Sequence, residues 1–511
     1  MKLFKVCLGV LFVVGFGWQC RSQQFTDIRA NLTGVAESAA RWMDTDRDGD
    51  LDILVSGEFY RGNQPGVQTF HYRNMRNDRF VLAQSSGLPQ LFRGDIAIGD
   101  LDLDGIDDVI MMGETANGTR MTSMFKGIGN GSFAATTVGF MAVRDGSVDL
   151  ADFDGDGDLD VLVAGESING PVCLLYRNDR NGRFTLINAG LTGIRRGVAR
   201  WTDFNLDGRP DVIITGIGSN GNPVTSVFQN TSEGFRQINT GMMNLKNSNL
   251  AFGDYDNDGD DDIVLIGETQ QGQPRTLFYN NNRRGAFTPV QHPFPNVKDG
   301  FADWADMDLD GDLDLLISGQ SAQGPVSMVF RNDRNGKFTN INAGIIPLYN
   351  SSGEWGDYDL DGDQDILIAG LTSDNQLVTR VYKNQTIEQR APQRQARTVQ
   401  TESMWLSDGP SPERSRPVYY FVYSSSYSDL HQNGKKDYYL FISPVKRFSK
   451  HYVLQEKYNE VIMDTYPTWG RIDQGNIVQN GFAIKSEADK SRERVINEYR
   501  SKGFKLIEVN W

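Results

Sequence analysis

Cysteine is almost missing from this sequence: Cys7, Cys20 and Cys173 are the three among 511 residues. Two of them fall in "MKLFKVCLGVLFVVGFGWQCRSQQF", where Lys2 and Lys5 precede an apolar run from Val6 to Trp18. A positive start, an apolar core of this length and short residues at Cys20 and Ser22 read as a signal peptide over 1–22, too short to span a bilayer comfortably. Cleavage before Gln23 leaves Cys173 alone, so no internal disulfide is expected in an exported chain. A lipid anchor on Cys20 is the weaker alternative, because Trp18 and Gln19 are poor residues before a lipidated cysteine. Histidine is scarce too. His71, His292, His431 and His451 fit no zinc spacing, and no G-x-S-x-G elbow occurs. After the leader no run is apolar enough for a transmembrane anchor. Positive charge is short: 51 Lys+Arg stand against 66 Asp+Glu. From Gln385 onward the counts are 19 and 15, so the deficit, 32 against 51, lies wholly in the first 384 residues. An acidic body of this kind argues against nucleic acid as a partner.

What the chain has in excess is aspartate and glycine, in one recurring pattern. "DFDGDGDLDVLVAG" (Asp152 to Gly165) has six relatives, starting at Asp44, Asp100, Asp203, Asp254, Asp306 and Asp357. Successive starts lie 56, 52, 51, 51, 52 and 51 residues apart, the mark of one supersecondary unit repeated in an array. Asp-x-Asp-x-Asp-Gly-x-x-Asp places side-chain oxygens at positions one, three, five and nine around a common centre. Glycine at six allows the tight turn, and position seven can offer a backbone carbonyl. The expected ligands are Asp44, Asp46, Asp48 and Asp52 in the first loop and Asp100, Asp102, Asp104 and Asp108 in the second. The third loop offers Asp152, Asp154, Asp156 and Asp160, and the fourth Asp203, Asn205, Asp207 and Asp211. The fifth has Asp254, Asp256, Asp258 and Asp262, the sixth Asp306, Asp308, Asp310 and Asp314, and the seventh Asp357, Asp359, Asp361 and Asp365. An oxygen-only, charge-rich and flexible loop points to Ca2+, up to seven ions. An EF-hand needs an acid at position twelve. Here Val55, Met111, Val163, Ile214, Leu265, Ile317 and Ile368 stand there. The fourth loop, with Asn205 at position three and Arg209 at position seven, is expected to bind most weakly.

Each unit reads as four strands: a short alternating stretch before the loop, a β-branched run after it, a segment such as "VTSVFQN", and one such as "GRFTLI". Four strands per unit is the composition of a propeller blade, so the fold expected is an all-β, seven-bladed β-propeller over 23–384. The seventh unit lacks a fourth strand after "VTRVYKN". "FTDIRANLTGV" (Phe25 to Val35) matches "FTLINAGLTGI" (Phe184 to Ile194), so the N-terminal strand is expected to close blade seven. Trp42, Ile98, Leu150, Trp201, Phe252, Trp304 and Trp355 stand two residues before the loops and read as packing between blades. Residues 385–403 read as a linker and 404–511 as a small α+β domain of unknown type, with a helix from Ser486 to Gly503.

The loops and their period resemble FG-GAP/VCBS repeats, the blades of the integrin α-subunit propeller and of many bacterial secreted proteins. The resemblance covers Phe25 to about Asn384. It implies calcium in the hairpin between the first and second strands of a blade, and binding or adhesion more often than catalysis. The sequence departs from integrins in that all seven loops look competent and no transmembrane helix follows. The expected function is a secreted or cell-surface calcium-binding module, periplasmic if bacterial and not exported further, for a protein or glycan ligand. A carbohydrate-active enzyme or lectin on the same scaffold, or a structural surface or matrix component, is the alternative. A paired-carboxylate glycosidase site stays open on composition, although the clustered carboxylates are accounted for by metal. Seven or eight residues before the loops stand Arg93, Arg144, Arg196, Lys246 and Lys298, with Glu37 and Asn350 breaking the pattern. They are expected at one mouth of the channel. There they either pair with acids such as Asp95 and Asp145 or form an anion-binding rim.

Overall fold

The computed structural model describes residues 24–386, apart from 62, 63, 181 and 284, together with short stretches between 418 and 508. From Phe25 to Asn384 the chain makes seven antiparallel units of four strands. Four are separate sheets of consecutive strands. Two share an eight-stranded sheet through the pairing of Val172 with Ile194. The last joins Tyr349–Gly356, Asp365–Leu371 and Leu377–Asn384 to the N-terminal strand Phe25–Asp27. The innermost strands are Ala36–Met43, Phe92–Gly99, Arg144–Ala151, Ile194–Thr202, Lys246–Gly253, Lys298–Ala305 and Tyr349–Gly356. They touch in that order, and the last touches the first. This is a β-propeller.

The closing strand is held as a core element. Phe25 pairs with Asn384 and Asp27 with Tyr382. The Phe25 ring is fully buried, its centroid 5.8 Å from that of Trp355. The N-terminal strand therefore covers the edge of Leu377–Asn384 and leaves only its own three-residue edge outermost.

Period-two alternation sends the two faces of each inner strand to different neighbours. Ala40 and Trp42 pack with Tyr358 and Leu367 of the seventh unit. Ala39 and Met43 pack with Ile96 and Val109 of the second. Trp42, Trp201, Trp304 and Trp355 are all buried, and Trp42 stacks on Tyr358 at 5.9 Å and 8°. The second strands, such as Asp108–Glu114, are buried on both faces, which explains their unbroken apolar runs. The longer first interval is taken up by the hairpin of Asp52–Arg61 and Gln64–Asn74, whose ladder extends out to Arg61 opposite Gln64.

The inner edge of each ring strand would otherwise expose unpaired backbone groups to the channel. Side chains of adjacent units cover several of them. Asp149 accepts the Trp201 N–H at 2.9 Å, Asp303 that of Trp355 at 3.2 Å and Glu354 that of Trp42 at 3.0 Å. Arg41 Nε donates to the Ile96 carbonyl and Arg200 Nη1 to that of Val148, both at 3.1 Å.

Beyond the propeller, Ile477–Val478, Val422–Ser428, Asp437–Ile442 and Lys505–Glu508 form one sheet in that order, the last pair parallel. Residues 492–497 are helical, within the helix expected from Ser486. The leader 1–22 and nearly all of the linker 385–403 lie outside the described residues.

Candidate metal centres and the opposite mouth

The seven loops share one hydrogen-bond scheme. Each position-one aspartate accepts the N–H groups of positions five and six, at distances between 2.8 and 3.2 Å. The glycine at six has φ between 81° and 96° in every loop. At all of these except Gly259 a Cβ would meet nothing within 4 Å, so the requirement is conformational, not spatial. Position four is also left-handed. Arg47, Leu103, Leu206, Asn257, Leu309 and Leu360 adopt φ between 56° and 64° there, a cost that nothing in the sequence pattern announced.

The position-nine aspartate anchors the loop to its own blade. One oxygen accepts the N–H that ends the third strand, at 2.7 to 2.9 Å in all seven units. In six loops the other accepts the N–H of position two, at 2.9 to 3.3 Å. The residue donating from the third strand is asparagine in six units, and its side chain reaches the preceding unit. Asn74, Asn178, Asn230, Asn281, Asn332 and Asn384 donate from Nδ2 to the position-two carbonyls of Tyr358, Leu101, Phe153, Phe204, Tyr255 and Met307, at 2.7 to 2.9 Å. In the second unit Gly127 replaces it, and the Gly131 N–H bonds the Thr45 carbonyl at 3.0 Å instead. Each loop is thus stapled to the next blade. The asparagine that recurs at the ends of the third strands, as in "VTSVFQN" and "VTRVYKN", is the sequence signal for this.

Position-seven acids meet arginines from the turn after the third strand: Arg76 with Asp50 at 3.1 Å, Arg180 with Asp158 at 3.0 Å and Arg283 with Asp260 at 2.8 Å, and Arg334 with Asp312. Position-three acids are held at one oxygen by a third-strand cation, as Asp46 by Arg73, Asp102 by Lys126 and Asp359 by Lys383. Their other oxygens, Oδ1 of Asp46, Asp102 and Asp359, are buried with no hydrogen-bond partner. Carboxylate oxygens from three aspartates lie within 4.8 Å of one another in the first, second, third, fifth and sixth loops. Atoms bound to one Ca2+ at 2.3–2.6 Å lie no more than about 5 Å apart, so the donor set fits that ion in size, charge and unmet acceptor capacity. Burial above all, with neighbouring aspartates adding to it, pushes Asp108 up to about 6, Asp160 to about 7, and Asp262 and Asp314 to about 9. Without a cation these groups resist ionisation.

The fourth loop departs from the scheme. The Phe204 N–H does not reach Asp211, whose Oδ2 is buried without a partner, and Leu206 N–H turns back to the Asp203 carbonyl at 3.2 Å. Arg209 pairs with Asp207, placing a positive charge on a position-five ligand. The third-strand residue before Asn230 is Gln229, where the first, second and seventh units have Arg73, Lys126 and Lys383. In the first loop Thr45 and His71 replace apolar core residues, and the Thr45 hydroxyl lies 2.9 Å from His71 Nε2. Cys173 is buried and its thiol is pushed far up, as suits a packing residue.

At the other mouth the five basic residues occupy two levels. Arg93 and Arg196 belong to a ring with Glu37, Asp145, Asn247, Asp299 and Asn350, all left-handed with φ between 42° and 55°, at a bulge where each inner strand shifts register. Arg144, Lys246 and Lys298 stand one residue earlier. The ring converges: desolvation raises the Glu37 carboxyl, and the charges of Arg93, Asp145, Arg196 and Asp299 from four other units act on it. Four of the five cations are ion-paired. Arg93 grips Asp145 with both Nε and Nη2, at 2.8 and 2.6 Å. Arg144 holds Glu114, Lys246 lies 3.6 Å from Glu268, and Lys298 reaches Glu268 and Asp299. Asp95 lies deeper than the rim and serves Arg41 at 2.5 Å and Arg200 at 3.0 Å instead.

A model described as an FG-GAP-like repeat matches residues 100–163, 152–214, 203–265, 254–317 and 306–368, each window opening on the first aspartate of a loop. No curated protein sequence matches the chain. Among solved structures, the chain is similar to a mutant of AofleA from Arthrobotrys oligospora, at 13% identity and TM-score 0.39, covering 62% of this chain and 89% of that one. The V. cholerae biofilm matrix protein Bap1 gives 11%, 0.35, 69% and 88%. The Penicillium chrysogenum alpha-L-arabinanase complexed with arabinobiose gives 9%, 0.36, 69% and 98%. Likenesses of this degree carry no functional statement.

Proposed function

The chain belongs to the FG-GAP-like repeat proteins, and from that premise we propose that it is a calcium-stabilised binding or adhesion module that works outside the cytosol. The observation that carries the proposal is the set of buried, donorless carboxylate oxygens of Asp46, Asp102 and Asp359 inside loops built alike. Positions one, three, five and nine of each loop would hold the ion, with position seven adding its carbonyl. A bound Ca2+ supplies positive charge where like charges crowd; it neutralises and rigidifies and is not asked to do chemistry. Export is supported by the leader-like segment 1–22, and binding is favoured over catalysis because the channel carboxylates Asp149, Asp303 and Glu354 serve backbone N–H groups. The ligand is taken to be a glycan or protein at the mouth opposite the metal loops, where seven units converge and side chains vary from unit to unit.

The test is a glycan array together with a pull-down from extracellular material, run with the full chain in calcium and in chelator. Calcium-dependent retention of a ligand without its turnover is expected. Turnover of a captured glycan, or capture of nothing by a calcium-loaded, folded protein, would overturn the reading.

A further inference from the structure

Arg196 is the one basic residue of the mouth ring that has neither an ion pair nor a hydrogen-bond partner among the described residues, and it is exposed. Its counterpart Arg93 shows what this ring position is shaped to do. With φ of 55° against 47° at Arg196, Arg93 extends toward the next unit and holds the ring residue there, Asp145, through two nearly parallel bonds of 2.8 and 2.6 Å. At Arg196 the next ring residue is Asn247, whose side chain is turned away to Glu268 at 2.9 Å. The guanidinium fork is therefore present in the same left-handed setting, and its carboxylate is missing.

We propose that Arg196 is a specificity-determining ligand residue, and that a carboxylate carried by a saccharide takes at Arg196 the place that Asp145 takes at Arg93. This rests on the mouth being the ligand-binding face. Planar bidentate pairing selects carboxylate over a point anion. The rim around it favours a sugar with one acidic group over a polyanion. Glu37 and Asp299 act on Arg196 across the same space and repel negative charge beyond a single carboxylate, while the oxygens of Glu37, Asp299 and Asn350 offer acceptors that hydroxyl groups use. No apolar side chain sits on the ring to receive a peptide's hydrophobic residues.

The test uses the full chain in saturating calcium. The probes are three tetrasaccharides ending in glucuronate, galacturonate or a sialic acid, their carboxyl-reduced counterparts, and a glutamate-rich peptide. At least one acidic glycan is expected to bind, with affinity falling as salt rises. Its carboxyl-reduced form should bind about tenfold more weakly, as the loss of a charge-assisted pair implies. Arg196→Gln should lose the same factor. So should Asn247→Asp, which supplies an internal carboxylate in a backbone setting that aspartate already adopts at Asp145 and Asp299. Unchanged melting of both variants secures the comparison. Acidic-glycan affinity that survives Asn247→Asp, preference for the peptide, or binding only of neutral glycans would overturn the assignment. Binding of none of these probes would overturn the assignment as well. Both that outcome and neutral-only binding leave the binding-module reading standing, which falls if the array and pull-down capture nothing.

Discussion

On the metal face, Asp46, Asp102 and Asp359 each keep one buried oxygen without a donor. On the mouth face, Asp145, Glu114 and Glu268 each hold an arginine or lysine. Both faces are dense in acid, and the difference lies in where the counter-charge comes from. Loop aspartates are neighbours in sequence, packed into nine residues, and the blade's own cations reach one oxygen at position three and the acid at position seven, so the rest of the neutrality has to be imported. Mouth acids and bases alternate between units about one repeat apart, so four of the five cations find a partner among the described residues once the ring closes, Arg196 excepted. The metal face should therefore depend on solution conditions and the mouth face on its own residues.

Removing calcium is the largest way to test that difference. Binding to the native state alone adds stability at every occupied site, and two or more sites at a hundredfold excess over Kd are worth about 7 °C or more in melting temperature for a propeller of this length. Excess chelator is expected to lower the melting temperature by at least that. The mouth variant Asp145→Asn should shift it by only about 1–2 °C, the worth of one partly buried pair in a chain of this length. Equal shifts, measured by calorimetry, would erase the contrast.

Acid should then separate the two states of the metal face. Asp160, Asp262 and Asp314 have folded-state values of about 7, 9 and 9, above the ordinary 3.8. Between 3.8 and those values the ion-free folded protein binds protons that the unfolded chain does not, so its stability falls as pH rises. In chelator the protein is expected to melt higher at pH 5.5 than at pH 7.5. In saturating calcium the order reverses, because acid competes for the ligands. The same trend in both solutions would contradict the cation's role.

A smaller effect belongs to the staples between blades. Asn332→Ala removes the bond to the Tyr255 carbonyl, made at 2.7 Å, and leaves that buried acceptor unmet, which should cost about 2 to 3 kcal/mol in chemical denaturation. A neutral outcome would mean that apolar packing alone joins the blades. The smallest change expected is a gain. Asn205→Asp restores the fourth loop's missing carboxylate, and equilibrium dialysis should find up to one more tightly held calcium per chain, limited by Arg209 beside Asp207.

How much of this was legible in the sequence depends on the range of the interaction. The loops, their period, the four-strand unit and the closing strand at Phe25 could be read directly. A turn needs glycine at six for reasons of local φ, a strand announces itself by its own side chains, and a repeat is visible as repetition. The recognition of these repeats rested on the same local motifs. Two features were present as letters but not as meaning. The asparagine ending six third strands looks like a turn residue until the ring closes and the preceding unit's carbonyl comes within 2.7–2.9 Å. The five basic residues of the mouth looked equivalent because spacing alone cannot tell a paired cation from an unpaired one. Only tertiary structure could decide that Arg93 meets Asp145 while Arg196 finds no carboxylate on the next ring residue, Asn247. Pairing across units is set by which residue of the next blade the bulge turns toward the same point, and that geometry exists only in the closed ring.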